Sequence, residues 1–403
     1  MDKLLGVYIH IPFCVSRCAY CDFCSTEGMA KRMPKYQDAL LAHIRESAPQ
    51  LAPYVIDTVY FGGGTPSFYG ARRITELLDA LKTYGQVLKS AEITVECNPD
   101  TVRLGELRAL RRAGVNRLSI GMQSANDDIL RLIGRRHDFR QVEKAVAAAR
   151  RADFDNLSLD LIYGLPSQTP GDWADSLSRA MELRPEHLSC YGLKLEEGTP
   201  MYKYKDSPFL PSDDEQADMY LYAVETLQGA NYAQYEISNF ALQGFESRHN
   251  RKYWKLGEYM GFGASAHSFV SGVRYSYIAD MQGYIDGVAG VEGAKLLDEY
   301  EEVTPQSRAA EYVMLGMRTA EGISRREYRA IYLSDFEPIE DVLRKYEKKG
   351  WVQEKDGRWS FTATGFLLSN PLIGGLLDAQ TQRTISAFPW LGETEAEQTS
   401  LNV

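Results

Sequence analysis

The sequence predicts an α/β fold, a partial (β/α)6 barrel followed by a smaller C-terminal winged-helix-like domain. Three observations predict it. Six short, β-rich apolar segments, GVYIHIPF (6–13), IDTVYFGG (56–63), EITVECN (92–98), RLSIGMQ (117–123), NLSLDLIYG (156–164) and HLSCYGLK (187–194), alternate with helical patterns near 34–48, 71–84, 104–113, 137–151 and 171–183. Alternation of this kind argues for βαβ units and a parallel sheet. The residues with chemistry to offer, Cys14, the glycine run at 62–65, Glu96, Gln123 and Asp160, fall at the carboxyl ends of those segments. Barrels gather their functional groups there. After about residue 300 the alternation stops. Helical patterns follow, then WVQEKDGRWSF (351–361), whose Asp-Gly pair between strand-like arms is a hairpin signal.

The 403 residues suit one large domain and a smaller one. We expect a barrel core over 1–200, an extension of it over 201–299, the winged-helix-like domain over 300–380 and a frayed tail over 381–403. The stretch 202–214 is polar and proline-rich and reads as a loop. A helix near 214–229 and a strand over YAQYEISNF (232–240) follow it. S-R-R-E at 324–327 has the form of a capping box.

Composition narrows the function. The net charge is −10, which argues against a general nucleic-acid binder. Between 101 and 151, however, twelve Lys and Arg face five Asp and Glu, and eleven of the twelve are Arg. That segment is either a solvated face or a cationic wall for a carboxylated ligand. Four of the six cysteines lie between 14 and 24, the wrong distribution for a disulfide framework. The start of the chain has no cleavage-like leader, and no run of about 18 apolar residues occurs anywhere. A reducing, cytoplasmic compartment without a membrane span is expected.

The cysteines read C14-VSR-C18-AY-C21-DF-C24. Thiolates suit zinc or iron–sulfur clusters, and a structural zinc site would normally pair two separated knuckles. Three thiols this close, directly after a strand, can instead hold three corners of one cubane and leave the fourth iron open. The C-x3-C-x2-C spacing, with an aromatic (Tyr20) before the third cysteine, resembles the radical-SAM signature. The resemblance implies a [4Fe-4S] cluster on Cys14, Cys18 and Cys21, with S-adenosylmethionine (SAM) chelating the open iron. Cys24 is expected to stay off the cluster. Y-F-G-G-G-T-P-S (60–67) resembles the superfamily's glycine motif for the SAM amino group and implies roles for Gly63, Gly64 and Thr65.

YIHIPFC, GGGTPS, ECNP, GMQS, LIGRRH and DLIYGLPSQT together resemble the oxygen-independent coproporphyrinogen III oxidase family over nearly the whole chain. By motif position the resemblance implies SAM contacts at Tyr8, Glu96, Gln123, Arg135 and Asp160. That family has a true oxidase branch and a heme chaperone branch. Oxidases resemble C-x3-C-x2-C-x-C, whereas Phe23 stands two after Cys21 here and is counted with the cofactor-contacting residues. Oxidases also carry a long extension before the cluster, and Cys14 lies near the start of this sequence. H249-N250-R251-K252-Y253-W254 resembles the chaperones' H-N-x-x-Y-W motif. His249 is therefore the first candidate heme ligand, and His267 in GASAHSF the second. His10 is expected to pack near the cluster, and His43, His137 and His187 to be structural. The implied function is a heme chaperone that passes heme to an acceptor hemoprotein. A respiratory complex met by peripheral membrane contact is one candidate acceptor, and a homodimer is compatible. The alternative is the oxidase, decarboxylating propionates to vinyls. Whether SAM is cleaved is left open by the resemblance.

Overall fold

The computed structural model describes residues 3–333 and 335–387. They fall into two units. The first comprises the chain to Gln234 with Ser238–Tyr253 and Gly257–Glu302. The second comprises Tyr235–Ile237, Trp254–Leu256 and the chain from Val303.

The first unit is built on a twelve-stranded sheet. Its strands are β1 (Lys3–Ile11), β2 (Tyr54–Gly63), β3 (Gln86–Cys97), β4 (Arg117–Gln123), β5 (Leu157–Tyr163), β6 (His187–Gly192), β7 (Ala233–Gln234), β8 (Asn239–Ala241), β9 (Tyr259–Phe262), β10 (His267–Val270), β11 (Val273–Tyr277) and β12 (Leu297–Glu302). The spatial order is β12-β11-β10-β9-β1-β2-β3-β4-β5-β6-β8-β7. Strands β1 to β6 pair in parallel, and β9 adds a parallel neighbour on the far side of β1. The additions at both ends are antiparallel, and the sheet stays open as a partial barrel.

The parallel strands alternate an apolar face, covered by helices, with a polar face that carries Thr58, Glu96, Ser119 and Asp160. Every residue of β4 is buried, and Val7, Ile9, Val59, Phe61, Val95 and Leu159 are near full burial in its neighbours. The covering helices are α1 (Met33–Glu46), α2 (Ala71–Tyr84), α3 (Leu104–Ala113), α4 (Phe139–Arg150) and α5 (Pro170–Glu182). Their ends are set locally. Asp138 with Gln141 and Thr169 with Asp172 form capping boxes for α4 and α5. Gly114, at φ 109, closes α3 in a left-handed conformation. Ser212 and Glu215 likewise cap α6 (Asp213–Gly229). Short helices at Pro66–Tyr69 and Asp127–Leu132 span too few residues to show a period.

One expectation is corrected in this region. The strand expected over 232–240 is interrupted between β7 and β8, because residues 235–237 leave the sheet and Glu236 bridges to Thr319 within the second unit. HNRKYW is a helix, α7 (Arg248–Trp254).

The second unit contains α8 (Pro305–Gly316), α9 (Arg325–Tyr332), α10 (Glu337–Glu347) and α11 (Ser369–Ala387). Its three-stranded sheet consists of β13 (Ile323–Ser324), β14 (Val352–Lys355) and β15 (Arg358–Phe361). Asp356 and Gly357 turn the hairpin at φ 52 and 75, as a type I′ turn requires. The capping box at 324–327 is only half formed. Ser324 Oγ accepts from the Glu327 N–H, but the Glu327 carboxylate goes to Tyr312 and Arg358 instead of back to Ser324. Tyr312 Oη takes the Ser324 N–H at 2.8 Å. The tail expected from 381 begins instead as the last turns of α11, and the part after 387 lies outside the described residues.

Candidate functional site

The cysteine loop leaves the carboxyl end of β1. Its two ends are tied by a short parallel pairing of Phe13–Cys14 with Thr26–Glu27. Inside the loop the Cys21 N–H donates to Cys18 O at 3.2 Å, and the backbone of Ala19 bonds Ile133 O (3.0 Å) and the Met201 N–H (2.9 Å). Ala19 and Tyr20 pack on the buried cluster of Ile129, Leu130, Ile133, Leu165 and Met201. The aromatic before the third cysteine is therefore a hydrophobic anchor. With the backbone held this way, the three thiols are free of disulfides, half-buried, and line a cavity of about 440 Å³. Thr65 Oγ1 donates to Cys14 Sγ (3.5 Å) and an Arg135 Nη donates to Cys18 Sγ (3.4 Å). Donors of this kind favour thiolate ligands. Among the described residues no three His, Cys, Asp or Glu side chains converge on one ion. Thiols spread around a cavity wall fit a multi-iron cluster better than a single zinc.

The glycine segment follows β2. The N–H groups of Gly64 and Thr65 donate to Ile11 O and Phe13 O, both at 2.8 Å, which sews the segment to the base of the cysteine loop. A side chain at Gly64 would meet the backbone of Ile11 and Phe13 at 2.8–2.9 Å. Gly63 sits at φ +108, and a Cβ there would lie 2.4 Å from the His10 ring. Both positions need glycine for close approach, and Gly63 needs it for its conformation as well.

Strand ends supply the rest of the cavity wall. Glu96 accepts from Tyr60 Oη at 2.8 Å and from the Gly63 N–H at 3.0 Å. Burial, and then the nearby Asp160, push its carboxyl up to about 7. Asp160 is also raised by burial, against the hydroxyls of Ser189 (2.7 Å), Ser119 (3.0 Å) and Ser158 (3.3 Å). Gln123, at φ 67, lines the cavity with a buried Oε1 that has no hydrogen-bond partner. Arg135 is held by Asn98 Oδ1 (2.8 Å) and Gly121 O (2.7 Å). A carboxylate near neutrality, an orphaned amide oxygen and a guanidinium, all within reach of three thiols, suit an amino acid carrying its own ammonium and carboxylate.

Tyr8 and Phe23 stand slightly apart. Tyr8 lines a second cavity of about 310 Å³, which shares Phe23, Gly63 and Glu96 with the first. Phe23 is 68% exposed.

His249 is placed differently from an open iron ligand. It is 1% exposed, its Nδ1 lies 2.9 Å from Thr58 Oγ1 and its Nε2 lies 2.8 Å from Tyr253 Oη. Burial lowers its pKa to about 3. The ring stacks on Tyr60 at 5.2 Å, and as placed it offers no free nitrogen.

Other groups in the cavity are not singled out from the sequence. Arg117, 2% exposed, and Asn98, Ser119 and Ser189 all line it. Of the eleven arginines over 101–151, Arg117 and Arg135 reach the cavity. Arg131, Arg136 and Arg150 pair instead with Asp128, Asp100 and Glu186, so the segment is not one continuous cationic wall. Inward placement at the first position of a fully buried strand was the available signal for Arg117.

A family model described as the Radical SAM superfamily matches residues 8–180, and one described as the HemN C-terminal domain matches residues 303–368. A Bacillus subtilis (strain 168) protein named heme chaperone HemW is 35% identical over 379 residues, covering 92% of this chain and 99% of the relative. An Escherichia coli (strain K12) protein of the same name is 32% identical over 376 residues, covering 92% and 97%. Among solved structures, coproporphyrinogen III oxidase (HemN) from Escherichia coli, described as a radical SAM enzyme, aligns with a TM-score of 0.82 at 26% identity. That alignment covers 93% of this chain and 90% of the oxidase.

Proposed function

The chain belongs to the heme chaperone HemW family of the radical SAM superfamily, and from that premise we propose that it carries heme to an acceptor hemoprotein in the cytoplasm while holding a [4Fe-4S] cluster and SAM. The observation that carries the reading is the shared cavity: Cys14, Cys18 and Cys21 on one wall, and Gly63, Gly64, Thr65, Glu96, Gln123, Arg135 and Asp160 on the strand ends around it. Cys14, Cys18 and Cys21 would hold the cluster, which when bound would supply single electrons and an open iron for SAM. The protein's own groups bind and orient. Ionised Glu96 would accept a hydrogen bond from the SAM amino group, Arg135 would pair its carboxylate, and Asp160 would accept from the ribose hydroxyls. The relatives' name supports heme as cargo. In this reading His249 acts from behind the cavity, stacking on Tyr60, whose hydroxyl orients Glu96.

A second reading is decarboxylation of a porphyrinogen's propionates. The fold shared with the Escherichia coli oxidase and the arginines Arg117 and Arg135 in the cavity favour it. One experiment separates the two. The protein is reconstituted anaerobically with iron and sulfide, then given SAM with either heme or coproporphyrinogen III. We expect a SAM-dependent change in the reduced cluster's paramagnetic resonance, heme bound one to one, and transfer of that heme to an apo-hemoprotein. Formation of the divinyl product from coproporphyrinogen III would replace the first reading with the second.

A further inference from the structure

A buried positive charge lies in the wall of the cluster cavity. Arg117 is 2% exposed and is the first residue of β4. A guanidinium keeps its proton in proteins, and a charge taken out of water is costly unless opposite charges face it. The strand register shows which ones do. β4 lies between β3 and β5. Arg117 pairs with Thr94 of β3, Ser119 pairs with Glu96, and Gly121 pairs with Asp160 of β5. Alternation turns Arg117, Ser119 and Gly121 to one face of the sheet. Arg117, Glu96 and Asp160 all line the cavity, with Tyr60 and Ser119 among them.

The other groups around the two carboxyls carry little positive charge. Glu96 faces Tyr8 from β1, Tyr60 from β2, Asp160 from β5 and Tyr253 from α7. Burial holds all three phenols neutral. Asp160 is met by the hydroxyls of Ser119, Ser158 and Ser189. His187, two residues before Ser189 on β6, is kept neutral by burial and then by Arg117 itself. Arg135, the other guanidinium lining the deep wall, is turned to Asn98 Oδ1, Gly121 O and Cys18 Sγ. Burial raises both carboxyls. Hydrogen bonds from Tyr60 and Gly63 oppose it at Glu96 and those from the serines oppose it at Asp160, and Arg117 is a cation that opposes it at both.

We propose that Arg117 is a positioning residue for SAM: from within the cavity wall it supplies the positive charge against which Glu96 and Asp160 present carboxylates to the ligand, and it does not itself touch SAM. The assignment rests on the reading of this cavity as a SAM site and adds a residue to it. Glu96 and Asp160 are like charges, and Asp160 opposes the ionisation of Glu96. A fixed cation on the strand between them lets both ionise at once. Its near-complete burial is what separates this role from direct contact, since a residue gripping the ligand would present its guanidinium to the open cavity.

The test is the SAM affinity of the full chain with its cluster reconstituted, measured between about pH 6 and about pH 9 in wild type, Arg117→Gln and Arg117→Lys. We expect Arg117→Gln to move the midpoint of the affinity profile up by about one pH unit, so that the loss approaches about tenfold below about pH 7 and closes by about pH 9. Titration of SAM itself is common to the chains and cancels in the ratio. Arg117→Lys, which keeps the charge, should restore most of the affinity. In the unloaded full chain, the infrared titration of the Glu96 carboxyl, assigned by its absence in Glu96→Gln, should move up by the same amount in Arg117→Gln. A loss of affinity equal at every pH places Arg117 on SAM itself and overturns the proposal, as does no loss at any pH. Should Arg117→Gln not fold, adding Glu96→Gln should recover folding, because a carboxylate that the guanidinium faced is gone. A double variant that stays unfolded overturns the pairing. Wild-type protein that binds no SAM overturns the reading of the cavity together with the role of Arg117, whereas SAM binding with a flat loss overturns that role alone.

Discussion

The cysteine loop and helix α7 are both short motifs that carry a metal-binding residue type, cysteine in one and His249 in the other, and they use it in opposite ways. In the loop the backbone is satisfied by its own pairing and by Ile133 and Met201, so the side chains of Cys14, Cys18 and Cys21 are left to face a cavity. In α7 the side chains do the fixing. The Glu92 carboxylate caps the first N–H groups at Arg248 and His249, both at 3.0 Å, and Lys252 Nζ reaches Asp57 at 2.7 Å. His249 closes the contact through Thr58 and Tyr253. A metal-binding residue type becomes a ligand when the fold leaves its lone pair unspent, and α7 spends that of His249 on hydroxyls.

The comparison is broken most sharply at the loop. Replacing Cys14, Cys18 or Cys21 by Ala is expected to abolish the visible absorbance of the reconstituted cluster, whereas Cys24→Ala keeps it. Equal loss in Cys24→Ala would put a fourth thiol on the cluster.

At α7 the expected effect is on stability. His249→Ala leaves two buried hydroxyls without a partner and should cost about 3 kcal/mol in urea unfolding. His267→Ala, at an exposed site, should change stability by less than about 0.5 kcal/mol. Similar costs for the two would mean that their burial does not differ as described.

A smaller effect joins the two regions through Glu96, the carboxylate that Tyr60 orients. Its pKa is raised by the fold from 4.5 to about 7, so the native state holds a proton that the unfolded chain releases. Native stability should therefore fall as pH rises from about 4.5 to about 7 and level off above, by at most about 3 kcal/mol. Glu96→Gln should remove that slope. SAM affinity should move the other way, rising as pH passes about 7 and ionised Glu96 accepts from the SAM amino group. A slope unchanged in Glu96→Gln would assign it to another group.

Much of the fold is legible in the sequence because its rules are local. RLSIGMQ is read as a strand over 117–123 and is β4 over the same residues, with Leu118, Ile120 and Met122 buried on one face and Arg117, Ser119 and Gln123 alternating onto the cavity face. Helix α2 likewise keeps the bounds 71–84 that its period sets. Failures occur where a distant partner intervenes. The 232–240 strand breaks because residues 235–237 pair within the second unit, and the 324–327 box is half made because Arg358 and Tyr312 compete for Glu327.

By itself the sequence determined the alternating strands and helices, the three-cysteine spacing with its hydrophobic anchor Tyr20, and the family to which the chain belongs. These depend on neighbours a few residues apart. Only the tertiary structure decided that Arg117, out of eleven clustered arginines, joins the motif residue Arg135 in the cavity. It also decided that Gln123 carries an unspent oxygen there, and that His267 is open where His249 is closed. Access and hydrogen-bond satisfaction are set by groups far away along the chain, such as Thr58 and Glu92 against α7, and no window of sequence contains both partners.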